Sequence, residues 1–462
     1  DPAHSLRDSL AEAASPARLT VLELQAQEHL DDFKRRHGQH LREIADRGTF
    51  LDAEDIDRFI SLSLPGMDEL FAFLDIARRA QAATDEDCVV VDTAPTGHTM
   101  RLLAMPELLR GWVETLDTLL AKHRYMKSLF GRSYTPDELD AFLDELEDSI
   151  TAAEGLLRDR ARCRFVPVMI AEELSVRETA SLLEELDRLG IAADEVVLNG
   201  LAPADGCAVC VGTHLGQMEE LRDLPKPFAR RTLWGVPLYP EEVRGIERLE
   251  TFWGRASRLE RPPRLGPVTA PEAMPPAHAD NPAPLPPDGM KLLLFAGKGG
   301  VGKTTLACAT ALRLARERPE RQILLFSSDP AHSLGDCLDL PVGPEPTPVT
   351  QGLTALEIDA QAEFGSLKEQ YREEIDEFFG SMLGSLDMPF DREVMEQLFE
   401  LSPPGVDEIM ALSRAMDFLE EGRYDLFILD SAPSGHLLRL LELPGIVDSW
   451  LKALFELFLK YR

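Results

Sequence analysis

Nine residues, GKGGVGKTT from Gly297 to Thr305, carry the clearest chemistry in this chain. They fit the pattern G-x-x-x-x-G-K-[ST], a phosphate-binding loop when it stands between a strand and a helix. The flanks supply that setting: the apolar run 291–296 precedes the loop, and 306–316 follows with helical spacing and good helix formers. Gly297, Gly299, Gly300 and Gly302, with Val301 among them, let backbone N–H groups turn inward on phosphate, and the helix start adds a partial positive charge. Lys303 would reach the β- and γ-phosphates, and the Thr304 hydroxyl would hold Mg²⁺. With Lys298 and Thr305, these residues form the candidate nucleotide-binding set.

Carboxylates complete the candidate chemistry. Asp92 and Asp430 each close an apolar run, VVVD and FILD, which predicts a strand ending with a carboxylate at the sheet's C-terminal edge. Asp430 there would face Mg²⁺. The stretches 93–99 and 431–436 contain Pro and Gly and suit loops that sense a γ-phosphate. Asp329 ends another apolar run, QILLFSS at 322–328, where a carboxylate can orient or deprotonate an attacking water.

The elements that must hold these groups alternate along the chain. Strands are predicted at 165–170, 195–199, 231–233, 291–296, 322–328, 353–358 and 424–429, with a helix at 175–189. Amphipathic helices are expected at 361–386 and 391–401. Alternation of this kind implies an α/β fold with a mostly parallel sheet covered by helices on both faces. Met382, Met388 and Met395, among apolar neighbours, read either as helical-subdomain core or as an adaptable groove for a membrane helix.

A repeat dominates the organisation. DPAHSL occurs at 1–6 and 329–334, PGMDEL at 65–70 returns as PGVDEI at 404–409, and VVVDTAPTGHTMRLL at 89–103 returns as FILDSAPSGHLLRLL at 427–441. Residues 260–289 turn sharply to Pro and Ala, as a semi-rigid linker does. The expected domains are therefore 1–259, a first copy lacking its glycine loop; the linker 260–289; and 290–462, a second copy with the loop, cut short at its end.

Composition narrows the class. A formal charge of −33 argues against nucleic acid as a partner. No apolar run approaches the ~20 residues of a membrane span, so a membrane role would work through a partner. Six cysteines with one close pair, Cys207 and Cys210, form no disulfide framework and fit a reducing cytoplasm. Cys88, Cys163, Cys308 and Cys337 have no ligand spacing and read as structural.

Together, GKGGVGKTT, DPAHSL and D-[TS]-A-P-[TS]-G-H resemble the ArsA family of P-loop ATPases over nearly the whole chain outside the linker. The loop with its extra lysine is shared with MinD/ParA positioning ATPases and the nitrogenase iron protein; DPAHS is not a MinD/ParA feature. The resemblance implies ATP and Mg²⁺ as ligands. It gives Lys298 the role of a lysine reaching the partner's nucleotide across an interface, the alternative being a solvated charge. It implies a water-activating role for Asp329, with Asp430 on the Mg²⁺ side, and for the first copy Asp1 and Asp92 in those two roles. Asn199 in VVLNG resembles the family's adenine-binding asparagine, and Pro237 lies in a segment like its second base-contacting loop. Cys207-Ala208-Val209-Cys210 resembles a zinc-binding pair shared between protomers, the alternative being two unliganded loop thiols; two ligands alone cannot close a tetrahedral site.

Two outputs follow from the resemblance. One is a motor for arsenite or antimonite efflux through a membrane pump subunit, which the tandem layout favours. The other is a targeting factor for tail-anchored membrane proteins, favoured by C-x-x-C and by the lack of a cysteine in 100–122. The halves are expected to pair within the chain or as a homodimer. A circularly permuted assembly, in which 290–328 joins the strands of the first copy, is the expectation most open to a structural test.

Overall fold

The computed structural model describes residues 9–10, 19–23, 26–48, 53, 56–57, 67–83, 88–93, 96–129, 135–260, 285–297, 300–327, 333–358, 363, 365–366, 369, 414, 417–418 and 422–430. The expectations placed on Asp1, Lys298, Gly299, Asp329, the three methionines and the 431–436 loop lie outside these residues. The chain divides into two compact units. One comprises 1–23, 91–100 and 155–290, and the other 24–90, 101–154 and 291–462.

The first unit is built on a four-stranded sheet in the order β1 (Val168–Met169), β2 (Glu195–Leu201), β3 (Thr232–Pro237), β4 (Ser257–Arg258). The first three strands run parallel, and β4 joins β3 antiparallel. Helix α5 (Glu173–Leu189) buries Val176, Ala180, Leu182, Leu183 and Leu186, the four-residue spacing of an amphipathic helix. It stops at Gly190, whose φ of 75° is left-handed and whose N–H bonds back to Leu186 and Asp187, as helix-ending glycines do. A further helix, α6 (Ala208–Glu220), follows β2.

The second unit includes α1 (Ala26–Gly48), α2 (Met67–Ala82), α3 (Thr96–Leu129, from residue 101 onward) and α4 (Glu138–Arg158, up to residue 154). His37 and His40 of α1 each stack on Phe142 of α4 with ring centres 5.0 Å apart. The same unit holds a five-stranded sheet in the order β5 (Leu292–Phe295), β9 (Leu426–Asp430), β6 (Ile323–Ser327), β8 (Leu353–Glu357), β7 (Thr347–Thr350). All pairings are parallel except β7 with β8. Every residue of β6 and β9 is buried, as in strands covered on both faces. Leu324, Phe326, Leu356, Phe427 and Leu429 pack one face together with Phe418. Helix α8 (Lys303–Glu317) buries Ala307, Cys308, Ala311, Leu314 and Ala315, small residues that let it lie close to its neighbours.

Four expectations need correction. The strand at 291–296 does not join the first unit's strands: β5 pairs with β9, and the two sheets share no strand. The permuted assembly therefore fails; β9 and β6 together give the loop strand a neighbourhood within its own half. The run 88–92 has no regular secondary structure and pairs in neither sheet, and Val90 is 86% exposed. A run of valines makes a strand only beside other strands, and neither sheet takes it in. Residues 93–99 are not all loop, since α3 already starts at Thr96. The sheets are mostly parallel, as expected, with β4 and β7 as antiparallel edge strands. The expected strand at 165–170 shrinks to two residues, while that at 231–233 extends to Pro237.

Candidate nucleotide site

β5 leads into the glycine loop and the loop into α8, the strand–loop–helix order that phosphate binding needs. Gly300 and Gly302 have φ of 75° and 87°, conformations that residues with a Cβ rarely adopt. At Gly297 an added Cβ would come within 3.2 Å of the Val301 side chain. Gly300 and Gly302 are thus required by backbone shape, and Gly297 is crowded by Val301. Lys303 opens α8, and Gly302 precedes it as the N-terminal cap with no side chain to close the helix end. First-turn N–H groups of a helix have no partner inside the helix itself, which suits such an end to phosphate.

The sheet register aligns four residues in one row across the C-terminal strand ends. Phe295 pairs with Asp430, Asp430 with Ser327, and Ser327 with Glu357. Three of the row are polar, yet Asp430 and Ser327 are 1% exposed and Glu357 is 4% exposed. Buried polar groups persist where they are hydrogen-bonded, and each outer carboxylate of this row holds a helix start. Thr304 Oγ1 donates to Asp430 Oδ2 at 2.7 Å. The backbone N–H groups of Leu334 and Gly335, in the first turn of α9 (Ser333–Leu338), both donate to Glu357 Oε1 at 2.6 and 3.1 Å. Ser327 Oγ donates to the Asp430 carbonyl at 3.4 Å.

Thr304 and Asp430, 126 positions apart in sequence, are therefore brought into contact. A hydroxyl and a carboxylate side by side at a phosphate loop are hard oxygen donors of the kind Mg²⁺ takes. The residues present fit that ion.

Asn199 and Pro237 stand on adjacent parallel strands, β2 and β3, near their C-terminal ends. Leu201 pairs with Pro237, and Leu238 N–H bonds the Leu201 carbonyl at 2.8 Å. Asn199 is exposed. Just beyond it the register shifts and Gly200 takes a φ of 72°. Gln217, buried on α6, clamps this turn. Its amide oxygen accepts from Ala202 N–H at 2.8 Å, and its Nε2 donates to the Gly200 carbonyl at 3.1 Å. Sequence reading missed Gln217, because a glutamine on a helix carries no local signal of what it reaches. It also missed Glu357, whose signal was present: a charged residue closing an apolar strand, as Asp430 does.

Cys207 caps α6, and its sulfur lies 3.4 Å from that of Cys210. Two thiolates each about 2.3 Å from one tetrahedral zinc stand roughly 3.8 Å apart, so the pair fits half of such a site. Among the described residues no group of three or more candidate ligands is found. The Cys207 thiol is held below the ordinary range by the N–H of Cys210, the Cys210 thiol and the N–H of Val209. Cys308 and Cys337, read from the sequence as structural, meet between α8 and α9. Burial first, then the charge of and hydrogen bond to Cys337, push the Cys308 thiol up.

A profile of anion-transporting ATPases, the ArsA ATPase family, matches residues 1–256 and 290–460. The chain belongs to the ArsA ATPase family. Relatives include ATPase ARSA1 of Chlamydomonas reinhardtii, 28% identical over 99% of this chain and 63% of its own length. A putative arsenical pump-driving ATPase of Halobacterium salinarum is 30% identical over 83% of the chain and 58% of its own length. The arsenical pump-driving ATPase of Escherichia coli is 26% identical over 92% and 67%. The chain thus spans 63% and 58% of the length of the first two of these relatives. Among the described residues no helix is long and apolar enough to cross a membrane.

Proposed function

We propose that the protein containing this chain hydrolyses ATP and couples the cycle to efflux of an anion, arsenite or antimonite, through a membrane pump subunit. The contact between Thr304 and Asp430 carries the hydrolytic reading, because it assembles an ion-binding pair at the base of a phosphate loop. Lys303 and the loop N–H groups take the β- and γ-phosphates, and Lys298 reaches a nucleotide across an interface. Thr304 and Asp430 would hold Mg²⁺, which supplies charge stabilisation at the phosphates. Asp329, on the connection leaving β6, orients and deprotonates the attacking water. Asn199 and Pro237 take the adenine. Asp1 and Asp92 are the equivalents in the first of two tandem copies, 1–259 and 290–462, joined by the linker 260–289. The copies pair within the chain or between chains in the cytoplasm.

The second reading, delivery of tail-anchored membrane proteins, is supported by Cys207 and Cys210, whose spacing suits a zinc shared with a second protomer. One experiment separates the two. ATP turnover of the full-length protein is measured with arsenite or antimonite and, separately, with a peptide carrying a C-terminal transmembrane helix. Stimulation by the anions is expected. Turnover indifferent to both anions, together with binding of the peptide, would replace the pump reading by the targeting one.

A further inference from the structure

Three aromatic rings join α1 to α4, and nothing in the hydrolytic reading uses them. The ring centres of His37, His40 and Phe142 form a triangle. Each imidazole stacks on Phe142 at 5.0 Å, and the two imidazoles stand 6.0 Å apart. His37 and His40 are three positions apart on α1 and so share one face of it. Phe33 extends the stack, its ring 4.9 Å from that of His37, and Phe142 beneath is 4% exposed. The Nδ1 atom of each histidine is sealed from solvent and has no hydrogen-bond partner among the described residues. A neutral imidazole tolerates this, with its proton on Nε2 and Nδ1 left as a bare acceptor. A protonated one does not, because both nitrogens then carry N–H groups and the inner one has nothing to donate to.

The charges acting on His37 are divided. Burial opposes its protonation most, followed by His40 and Arg36 of α1; Glu145 of α4 and Asp32 of α1 favour it, and the imidazole is held below its ordinary range. Attraction of a cation to the Phe142 ring also favours the proton, but it is a smaller effect than a sealed donor left unpaired. At the other end of α1 a second contact with α4 does not respond to mild acid. Arg47 Nη1 donates to Asp137 Oδ2 at 2.5 Å, and Asp137 Oδ1 accepts from Leu139 N–H at 3.0 Å in the first turn of α4. Burial works against the Asp137 charge, but the Arg47 and Leu139 bonds prevail and hold its carboxyl below the ordinary range. We propose that the face between α1 and α4 is an acid-operated latch: a proton taken up by His37 parts the stack on Phe142, while the Arg47–Asp137 pair keeps the two helices hinged at one end. The sign follows from the shift. A folded value below the ordinary one leaves the latch complete above the ordinary value and loosens it as pH falls through the folded value.

The test uses the full-length protein and two exchange measurements read by mass spectrometry. Deuterium uptake at the histidine Cε1 carbon over a pH series titrates His37 itself, and its midpoint is expected below the ordinary imidazole value of about 6.5. Backbone amide exchange, corrected for its intrinsic pH dependence, reads the latch. Protection of peptides within 26–48 and 138–154 should fall, as pH drops below the ordinary value, by up to about tenfold per pH unit, the slope that one proton sets. Peptides covering β6 and β9 should keep theirs. His37→Phe leaves an aromatic ring on Phe142 and removes the titrating group, so the protection of both helices should stay level over the same range. A His37 midpoint at or above the ordinary value overturns the proposal, as does helix protection in the parent that ignores pH. The same fall in His37→Phe as in the parent also overturns it, and is what a purely structural histidine gives. So does loss of protection in β6 and β9 in step with the helices, which is acid unfolding of the whole unit. Should His37→Phe fail to fold, His37→Gln removes the titration, keeps a neutral side chain and carries the same comparison.

Discussion

Two segments of this chain share one pattern, three apolar residues and an aspartate, and have opposite fates. FILD at 427–430 is the middle of a sheet, paired with β5 on one side and β6 on the other, with every residue buried. VVVD at 89–92 is exposed, has no regular secondary structure and pairs with neither sheet. The valines are, if anything, the better strand formers. What differs is the company: β9 finds two parallel neighbours, and a strand's stability lies in cross-strand pairs and the layers above and below. The carboxylate follows its strand. Asp430 is buried against Thr304, while Asp92 stands exposed.

The largest expected effect tests whether the two carboxylates are as unlike in chemistry as in setting. Asp430→Asn should reduce Mg²⁺-dependent ATP turnover by about 10²-fold or more, since it weakens an ion worth several kcal/mol of charge stabilisation. Asp92→Asn, at an exposed carboxylate with the equivalent proposed role in the first copy, should lower turnover by a smaller factor. Initial rates over a Mg²⁺ titration check both. An equal loss from Asp92→Asn would break the comparison.

A second pair measures the strands rather than the carboxylates. Ile428 is fully buried, and Ile428→Ala should cost about 2–5 kcal/mol, transfer and cavity together. Val90→Ala removes a methyl-bearing side chain that is 86% exposed and should change stability by no more than about 0.5 kcal/mol. Urea unfolding of both variants gives the numbers. A Val90→Ala loss above about 1 kcal/mol would show the valine run packed after all.

The same contrast marks what could be read from sequence. The glycine loop was legible because its glycines answer to local demands, the positive φ at Gly300 and Gly302 and the crowding at Gly297. Strands β6, β8 and β9 were legible as apolar runs because both their faces are covered. Composition is a local signal and pairing is not, so VVVD looked as good a strand as FILD. The edges β4 and β7 were missed for the converse reason. Ser257-Arg258 and TPVT are short and carry no apolar run, and only an existing sheet makes strands of them. The Thr304–Asp430 pair was foreseeable from the motifs; Glu357 closes an apolar run as Asp430 does, but only the register sets it beside Ser327.

The smallest effect concerns one functional group, the thiol, in two surroundings. Cys207 is exposed at the start of α6, and N–H groups of the first turn together with the Cys210 thiol stabilise its thiolate. Cys308 is buried on α8 near Cys337 and Asp430, where lost hydration and negative neighbours oppose ionisation. Only the thiolate alkylates. Iodoacetamide should therefore label Cys207 first, with a rate that rises through a midpoint below the ordinary thiol value, while Cys308 stays unlabelled in the folded protein. Cys210 should follow the opposite course to Cys207, because its hydrogen bond with Cys207, then loss of hydration, push its own thiol up. The sign for stability is fixed by the same shift. A folded value below the unfolded one makes ionised Cys207 stabilise α6 above the unfolded value, a contribution lost as pH falls through the folded value. Mass spectrometry of labelled peptides across a pH series reads all three cysteines at once. Added Zn²⁺ should protect Cys207 and Cys210 together if the pair is half of a shared site. Labelling of Cys308 at the rate of Cys207 would mean that α8 and α9 open readily, and the buried row beneath them would lose its claim to hold the two helix starts in place.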